Sequence, residues 1–350
     1  MKSGSFSPQK PSEKTFQLIK PGLEDAPAEI TNLLHKILNL EGRLYRYQTN
    51  ARLPMGYYKL CFPDKSSSVF IKIISKKETV RRIESDSLAR HLGKYGLQAS
   101  LLLPSYTTDL KMENDFSILA YTYIEGRYGQ YTKDDLIQVG ITLADIHTAF
   151  SQITLEKSIQ KATLKQFELL KSRQKKIIRE KTSFSPHPEY LQKVLSEADS
   201  FFVFPNEPCQ VLHGELHPGN LLFPIDGSQP VILDLEDSLF SWLPIRMDIA
   251  YTLERFILIR DTDDHQALKS SRIFLNAYLP KGGEIPFKQK GDLQRSLRWL
   301  SLRALCLLAE KEATGQKVPA QEWEKFFWLL SMSAGRSKLL LQIEDLCIQN

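Results

Sequence analysis

Cysteine is scarce in this sequence of 350 residues, and no two cysteines are spaced as a CxxC pair. The absence of such pairs argues against a cysteine zinc site, and four scattered thiols are typical of a reducing compartment. We therefore expect a cytoplasmic protein without a disulfide framework. The four cysteines are Cys61, Cys209, Cys306 and Cys347.

Long apolar runs are also missing. The most apolar helical stretch, residues 297–308, is interrupted by Arg298 and Arg303 and is shorter than the roughly 20 residues that span a bilayer. Residues 1–14 have no apolar core, so they are not a secretory signal and are predicted to form a disordered tail. No membrane span is expected.

A strong excess of one charge is lacking as well. The net charge is only +5, with 42% hydrophobic and 25% charged residues, which is ordinary globular composition. The basic run at 171–179 is interpreted as a solvated helix face. We expect no nucleic-acid partner, and the length allows about two domains of roughly 100–200 residues each.

Aromatic and β-branched residues are concentrated in three short segments, 44–47, 56–62 and 68–74, separated by turn-like gaps. This pattern predicts a three-stranded antiparallel meander, preceded by a helix within 15–40. A helix over 78–92 and strand-like runs at 100–103 and 116–123 follow. The predicted apolar positions of the 78–92 helix are Val80, Ile83, Leu88 and Leu92.

Beyond residue 126 the pattern is mostly helical, with a charged helical insert at about 152–199 and three short strand-like runs between 209 and 235. The expected fold class is therefore α+β and bilobal, with a small antiparallel-sheet N-lobe and a larger, mostly helical C-lobe. The predicted divisions are a tail at 1–14, an N-lobe at 15–120, a hinge at 121–126 and a C-lobe at 127–350.

The segment VLHGELHPGNLLF at 211–223 places His213, Glu215 and Asn220 in the pattern H-x-acid-x4-N, and Asp234 follows fourteen positions later. Phosphoryl transfer from ATP needs this set: one carboxylate accepts the hydroxyl proton, while an amide oxygen and a second carboxylate hold Mg²⁺. Hairpin texture over 212–235 predicts that Asn220 and Asp234 lie near each other.

A lysine on an apolar strand supplies a further candidate. Alternation in the third strand puts Ile71 and Ile73 on one face and Lys72 on the other, with Phe70 and Ile74. A lysine on an apolar strand face needs a partner. Glu84, in the following helix, is the predicted one.

These motifs resemble the aminoglycoside phosphotransferase and choline kinase family, small-molecule kinases with a protein-kinase-like fold. The family signature is similar to HGDLHPGNLL followed by IDWED, and this chain has HGELHPGNLL at 213–222 and ILDLED at 232–237. Segments 124–127, 143–147 and 246–251 give weaker support. The resemblance extends over about residues 40–260.

The resemblance implies a role for each matching residue. Glu215 would be the catalytic base, and Asn220 and Asp234 would bind Mg²⁺. Lys72 would contact the α- and β-phosphates of ATP, and Glu84 would orient it. The implied activity is an ATP- and Mg²⁺-dependent phosphotransferase acting on a hydroxyl of a small molecule, such as a sugar, an amino alcohol, an aminoglycoside-like compound or a glycan.

Other positions have supporting roles under the same resemblance. Backbone groups near Tyr121 and Tyr123 would meet adenine at the hinge. His213 and Asp248 would brace the loop, and His217 would pack within it.

The sequence departs from the family pattern at two places. The family base is Asp, and the longer Glu215 would move the carboxylate oxygens by about 1–1.5 Å, enough to cost on the order of 10²-fold in rate if nothing compensates. The loop at 48–55 has no glycine before Gly56, although Thr49, Asn50 or Arg52 could contact phosphate through side chains.

Alternatives remain beside the kinase. A catalytically inactive nucleotide-binding or interaction module, of the pseudokinase type, fits the substitution of Glu215 for Asp. A protein kinase is disfavoured because no D-F-G or A-P-E sequence follows Asp234. A zinc hydrolase using His213 and His217 would need a continuous helix, which Pro218 prevents. Neither the acceptor, nor ATP versus GTP, nor the oligomeric state follows from the sequence.

Overall fold

The computed structural model describes residues 8–11, 22–48, 53–63, 68–104, 108–111, 115–180, 185–197, 206–282 and 285–348. Contacts divide the chain into a sheet-rich unit, residues 19–129 and 219–236, and a helical unit, residues 1–18, 130–218 and 237–350. Thr49, Asn50 and Arg52 lie outside the described residues, as does most of the predicted tail.

The described strands are short and number eleven. They are β1 (Leu23–Asp25), β2 (Arg43–Tyr47), β3 (Gly56–Cys61), β4 (Ser68–Ser75), β5 (Thr108–Lys111), β6 (Asp115–Thr122), β7 (Gly126–Tyr128), β8 (Gln210–Val211), β9 (Leu221–Pro224), β10 (Val231–Ile232) and β11 (Trp242–Leu243).

The described α-helices number ten. They are α1 (Ala28–Leu38), α2 (Lys76–Lys94), α3 (Lys133–Phe150), α4 (Glu156–Glu180), α5 (Pro188–Ser196), α6 (Arg246–Leu253), α7 (Asp264–Gly282), α8 (Asp292–Ala313), α9 (Ala320–Gly335) and α10 (Ser337–Ile348). A π-helical turn, Glu254–Leu258, continues α6.

The sheet-rich unit is built on an antiparallel sheet with strand order β1-β2-β3-β4-β6-β5. The predicted meander is confirmed, because β2, β3 and β4 pair in sequence order. Alternation along β4 is confirmed too: Ile71 and Ile73 join the core formed with α1. Phe70 and Ile74 belong to a separate apolar group on the other face, with Leu119 and Tyr121 of β6.

Residues 219–236 group with the sheet-rich unit and not with the helices that precede and follow them. Strand β9 pairs with β7 on one side and with β10 on the other, and Ile232 also bridges Ala99. This grouping differs from the expected division, which assigned all of 127–350 to one lobe. The reason is long-range strand pairing, which a walk along the sequence does not reveal.

The helical unit contains α3 to α10 with the short β8–β11 pair. One core cluster of its described residues joins α4, α5, α8 and α9, with Phe167 stacked on Trp299 at 5.4 Å between ring centroids. Helices α3 and α7 approach closely at Gly140, where an added Cβ would lie 2.6 Å from the Phe274 carbonyl oxygen. These helices hold the loop that contains Glu215.

Two local predictions were wrong. Val80 and Ile83 are 63% and 47% exposed. They lie on the far side of α2 from the buried stripe formed by Ser85, Leu88, Ala89 and Leu92. The run at 100–103 makes one isolated bridge, from Leu102 to Tyr121, instead of a strand. The helix predicted within 15–40 is confirmed as α1, and Leu23–Asp25 before it pairs as a strand with β2.

In the described part of the chain, none of the helices combines the length and the apolar character required to cross a bilayer.

Candidate active site

Lys72 lies on β4, on the face of the sheet opposite α1. Its side chain is only 15% exposed, and its Nζ lies 3.8 Å from the carboxylate oxygen Oδ1 of Asp234. The amine also lies 5.9 Å and 5.3 Å from the ring centroids of Tyr57 and Tyr121. Burial lowers the pKa of Lys72, and the nearby Asp234 carboxylate opposes that shift. The result is a sheltered cation beside a predicted metal ligand.

Asn220 and Asp234 lie at the same end of the β9–β10 hairpin. The register pairs Leu221 with Ile232, and the Leu233 amide donates a hydrogen bond of 2.9 Å to the Asn220 carbonyl. Asp234 is therefore one residue beyond the partner of Asn220. The predicted hairpin is confirmed.

Asp234 has an uncommon backbone conformation, with φ of 57°. A left-handed conformation at a residue other than glycine is costly and is found most often at functional sites. The Asp234 side chain remains 40% exposed, while Asn220 is buried. An amide oxygen and an accessible carboxylate at neighbouring positions are suitable ligands for Mg²⁺.

The predicted partner of Lys72 is not its partner in the structure. Glu84 is exposed on α2, and among the described residues the ion pair of Lys72 is made with Asp234. Helix α2 instead presents Arg82, whose Nη1 donates to Asp234 at 3.3 Å and also pairs with Glu236. The stripe that α2 buries turns Glu84 outward, so the pairing of Lys72 with Glu84 was wrong.

Glu236 completes a cluster of two acids and two cations in the sheet-rich unit. Burial, reinforced by the neighbouring Asp234, raises the pKa of Glu236 to about 8. Arg82 and Lys72 oppose that rise. We refer to Lys72, Arg82, Asp234 and Glu236 as the charge cluster.

Aromatic rings surround the charge cluster on the same sheet face. Phe70 stacks on Tyr57 at 5.9 Å and lies 5.9 Å from Tyr47 and 6.4 Å from Tyr121. The Lys59 Nζ lies 3.9 Å from the Tyr123 ring centroid. Burial is the main reason that the pKa values of Tyr47 and Tyr121 are raised. This surface suits a planar base, although only Tyr121 and Tyr123 were singled out from the sequence.

In the helical unit, Asp248 holds the loop that carries Glu215. Its carboxylate accepts hydrogen bonds of 2.8 Å from the backbone amides of both His213 and Gly214. The His147 ring lies 3.2 Å from the same carboxylate and 2.9 Å from the Tyr278 hydroxyl. The predicted bracing role of Asp248 is thus confirmed, and the loop is fixed from the buried side.

Gly214 is required by this loop conformation. Its φ is 84°, and an added Cβ would collide with the Ser241 hydroxyl. The tight backbone at Gly214 fixes the direction in which the next residue, Glu215, projects.

Glu215 has a partly buried carboxyl group whose pKa is raised by its surroundings. The Tyr251 hydroxyl donates a hydrogen bond of 3.2 Å to its Oε1. Burial and the neighbouring Asp237 raise the pKa of Glu215 to about 7, while Tyr251 and Arg255 act in the opposite direction. A carboxyl group that titrates near neutral pH is suited to general base catalysis.

The structure therefore brings most of the predicted residues into two groups. Lys72, Asn220 and Asp234 belong to the sheet-rich unit and Glu215 to the helical unit. Sequence reasoning missed Arg82 and Tyr251 as site residues. Both pair with groups far away in the sequence, so no local pattern marks them.

Comparison with protein-family models matches residues 65–279 to the phosphotransferase enzyme family APH. The chain belongs to this family. The match covers well over half of the chain and includes every residue of the charge cluster as well as Glu215. The family comprises small-molecule phosphotransferases related to aminoglycoside and choline kinases. A comparison with curated proteins gives no match.

Solved structures of phosphotransferases share the fold. The choline kinase LicA from Streptococcus pneumoniae has a TM-score of 0.54 and 14% identity, covering 88% of this chain and 98% of that one. A spectinomycin phosphotransferase bound to ADP and spectinomycin has a TM-score of 0.52 and 16% identity, covering 95% and 100%.

An aminoglycoside phosphotransferase from Alicyclobacillus acidocaldarius has a TM-score of 0.51 and 14% identity, covering 87% of this chain and 93% of that one. At such low identity these similarities establish the fold and not the substrate. The predicted protein-kinase-like α+β fold of this phosphotransferase-family chain is confirmed.

Proposed function

We propose that this protein is an ATP- and Mg²⁺-dependent kinase that phosphorylates a hydroxyl group of a small molecule, with Glu215 as the general base. The observation that carries the proposal is the environment of Glu215. Its carboxyl is held by Tyr251 on a loop fixed by Asp248, and its pKa is raised to about 7. In a phosphotransferase family, a carboxyl of this kind is suited to taking the proton of an attacking hydroxyl.

The sheet-rich unit supplies groups for the nucleotide. Asn220 and Asp234 occupy adjoining positions at one end of a hairpin, and their oxygens fit the preferences of Mg²⁺. Lys72 offers a sheltered positive charge to the phosphates, and the aromatic face beside it offers a stacking surface for the base. When bound, ATP would supply the phosphoryl group and Mg²⁺ would neutralise the negative charge of the phosphates.

The helical unit supplies the proton acceptor. Glu215 takes the proton from the acceptor hydroxyl as that oxygen forms its bond to phosphorus and ADP leaves. The Tyr251 hydroxyl, 3.2 Å from Oε1, holds one carboxylate oxygen in place. This contact also answers the concern about the extra methylene of Glu215, because the longer side chain is anchored at its tip.

A coupled assay for ADP release tests the proposal. The full-length protein is incubated with ATP and a panel of sugars, amino alcohols, aminoglycosides and glycans, with either Mg²⁺ or EDTA. We expect acceptor-dependent ADP release that EDTA abolishes and that Lys72→Met lowers by roughly 10²-fold or more, as loss of a phosphate-binding cation does. Absence of both ADP release and nucleotide binding would refute the proposal.

A nucleotide-binding module without turnover is the second candidate function. Glu215 in place of the family aspartate favours it. The two candidates differ in one readout. Nucleotide binding by thermal shift, with no ADP release for any acceptor, would favour the module.

A further inference from the structure

Arg82 is a buried arginine within the charge cluster whose role no family motif predicts. It projects from α2, and its side chain is only 13% exposed. One nitrogen, Nη1, contacts the carboxylates of both Asp234 and Glu236. The residue therefore adjoins the proposed metal ligand, and it lies on the helix from which Glu84 was predicted to reach Lys72.

Part of the hydrogen-bonding capacity of Arg82 is unused. The Nε–H is buried and has no acceptor among the described residues, and the contacts with the carboxylates of Asp234 and Glu236 are made by Nη1. Buried donors in native proteins nearly always have an acceptor, so the Nε–H of Arg82 is open to an oxygen atom of a ligand. A guanidinium offers several donors in a planar fork that matches the oxygens of phosphate.

Bracing of the helix alone does not explain Arg82. The neighbouring Arg81 already ties α2 to this segment, because its Nε donates a hydrogen bond of 3.2 Å to the backbone carbonyl of Glu236. A second tether at the same place, with its Nε buried and unsatisfied, would add a desolvation cost for little gain.

Charge balance gives Arg82 a function. The Asp234 carboxylate would repel a polyphosphate, and Lys72 and Arg82 both lie beside it. The two cations together outweigh the charge of that carboxylate, so Arg82 adds positive charge where a tetra-anionic nucleotide would bind. Asp234 would hold Mg²⁺ on the phosphates at the reacting end of the nucleotide, so a cation beside Asp234 would lie near the distal phosphates.

We propose that Arg82 binds the distal phosphates of the nucleotide, as a second cation in addition to Lys72. The proposal rests on the proposed function, because it requires a nucleoside triphosphate as the ligand. It assigns to α2 an arginine that contacts phosphate where the family resemblance implies a glutamate that orients the lysine.

Comparison of nucleotides that differ only in phosphate number tests the proposal. Affinities for AMP and for a non-hydrolysable ATP analogue are measured by calorimetry, with Mg²⁺, on wild type, Arg82→Met and Arg82→Lys. We expect Arg82→Met to lower the affinity for the ATP analogue by roughly tenfold to a hundredfold, which corresponds to the loss of one or two charged hydrogen bonds. The affinity for AMP should fall by less than about threefold. Arg82→Lys should restore part of the loss.

Arg90 provides a matched control. It lies eight residues further along α2, about 12 Å away at the helical rise, and it pairs with Asp86. Arg90→Met should leave the ratio of the two affinities unchanged. Thermal unfolding of each variant verifies that it is folded.

The outcomes separate the two proposals. If Arg82 is purely structural, Arg82→Met weakens the binding of both nucleotides by the same factor. An unchanged ratio of the two affinities in Arg82→Met would therefore overturn the phosphate-binding role alone. If wild type binds neither nucleotide, the proposed kinase function fails as well. A selective loss of the ATP analogue supports both.

Discussion

The Glu215 carboxyl is fixed by hydrogen bonding, and its pKa is set by its surroundings. Tyr251 fixes one carboxylate oxygen, and burial with Asp237 raises the pKa of the group to about 7. Whether Glu215 accepts a proton decides between the two candidate functions, an active kinase and a nucleotide-binding module without turnover. These features of Glu215 also generate predictions that do not depend on the identity of the acceptor.

Glu215→Gln tests the proton-accepting role directly. The amide keeps the size of the side chain but cannot accept the proton, so we expect kcat to fall by roughly 10²–10⁴-fold, the usual contribution of a general base. Nucleotide affinity should change by less than about threefold. ADP release and calorimetry measure the two quantities, and full activity in the variant would exclude Glu215 as the base.

Asp237→Asn tests the electrostatic coupling. Glu215 must be ionised to act, so kcat/KM of wild type should rise with pH through about 7. Removal of the Asp237 charge lowers the pKa of Glu215, which moves this rise to lower pH by roughly half a unit or more. Asp145→Asn, at a partly exposed residue, serves as the control, and a rise at the same pH in Asp237→Asn would contradict the coupling.

Residue types at fixed spacing explain why part of the site could be predicted. Glu215, Asn220 and Asp234 lie in a short block whose spacing reflects the loop and hairpin that hold them, and Lys72 followed from alternation along one strand. Arg82 and Asp234 are 152 positions apart in the sequence. Nothing in α2 alone indicates that Arg82, and not Glu84, would turn towards the charge cluster.

At the scale of elements, the catalytic loop depends on α6. Asp248, in the first turn of that helix, accepts hydrogen bonds from the backbone amides of His213 and Gly214 and contacts the His147 ring. All of these groups are buried or nearly so, so loss of the carboxylate leaves several polar groups without a partner.

Asp248→Ala should therefore destabilise the protein by about 3 kcal/mol, as expected when one partner of a buried charged network is removed. Urea unfolding at pH 7 measures the change in the free energy of unfolding. Asp145→Ala, which removes a partly exposed pair with Lys281, should cost less than about 1 kcal/mol. Equal losses in the two variants would show that Asp248 is not the main brace of the loop.

The success of element predictions followed the strength of the periodic signal. Strands β2 to β4 and helix α3 have clear periods and were found at close to their observed bounds. Helix α2 buries Thr79 and Ser85 beside its apolar residues. Because the buried face of α2 includes small polar residues, hydrophobicity alone does not identify it. Val80 and Ile83 were assigned to the buried face for that reason.

At the scale of the whole molecule, the four free cysteines differ in accessibility. Cys306 and Cys347 are buried, and burial raises the pKa of each to about 12, whereas Cys61 is partly exposed. Because the thiolate is the reactive form, a buried thiol with a raised pKa reacts only when the protein opens.

Thiol labelling at pH 8 should therefore show at least two phases. We expect fast labelling of Cys61 in the native protein, and labelling of Cys306 and Cys347 at a rate that rises in parallel with the unfolded fraction as urea increases. Mass spectrometry of peptides identifies each site, and Cys61→Ser should remove the fast phase. Rapid native labelling of Cys306 would contradict the packing of α8.

The division into lobes was the part of the molecule that sequence order described least well. Composition changes along the chain indicated one boundary near the hinge. Contacts instead assign 219–236 to the unit that begins far earlier in the sequence. The sequence order does not reveal this return of the chain, because the paired strands β7 and β9 are about ninety residues apart.

This return of the chain has a consequence for biosynthesis. Strand β7 is translated early, but its partner β9 and the next strand β10 are among residues 219–236. A ribosome must therefore polymerise α3, α4 and α5 before the earlier sheet-containing unit has all of its strands. Asp234 arrives with that late hairpin, so a nascent chain released before this point carries Lys72 without its carboxylate partner.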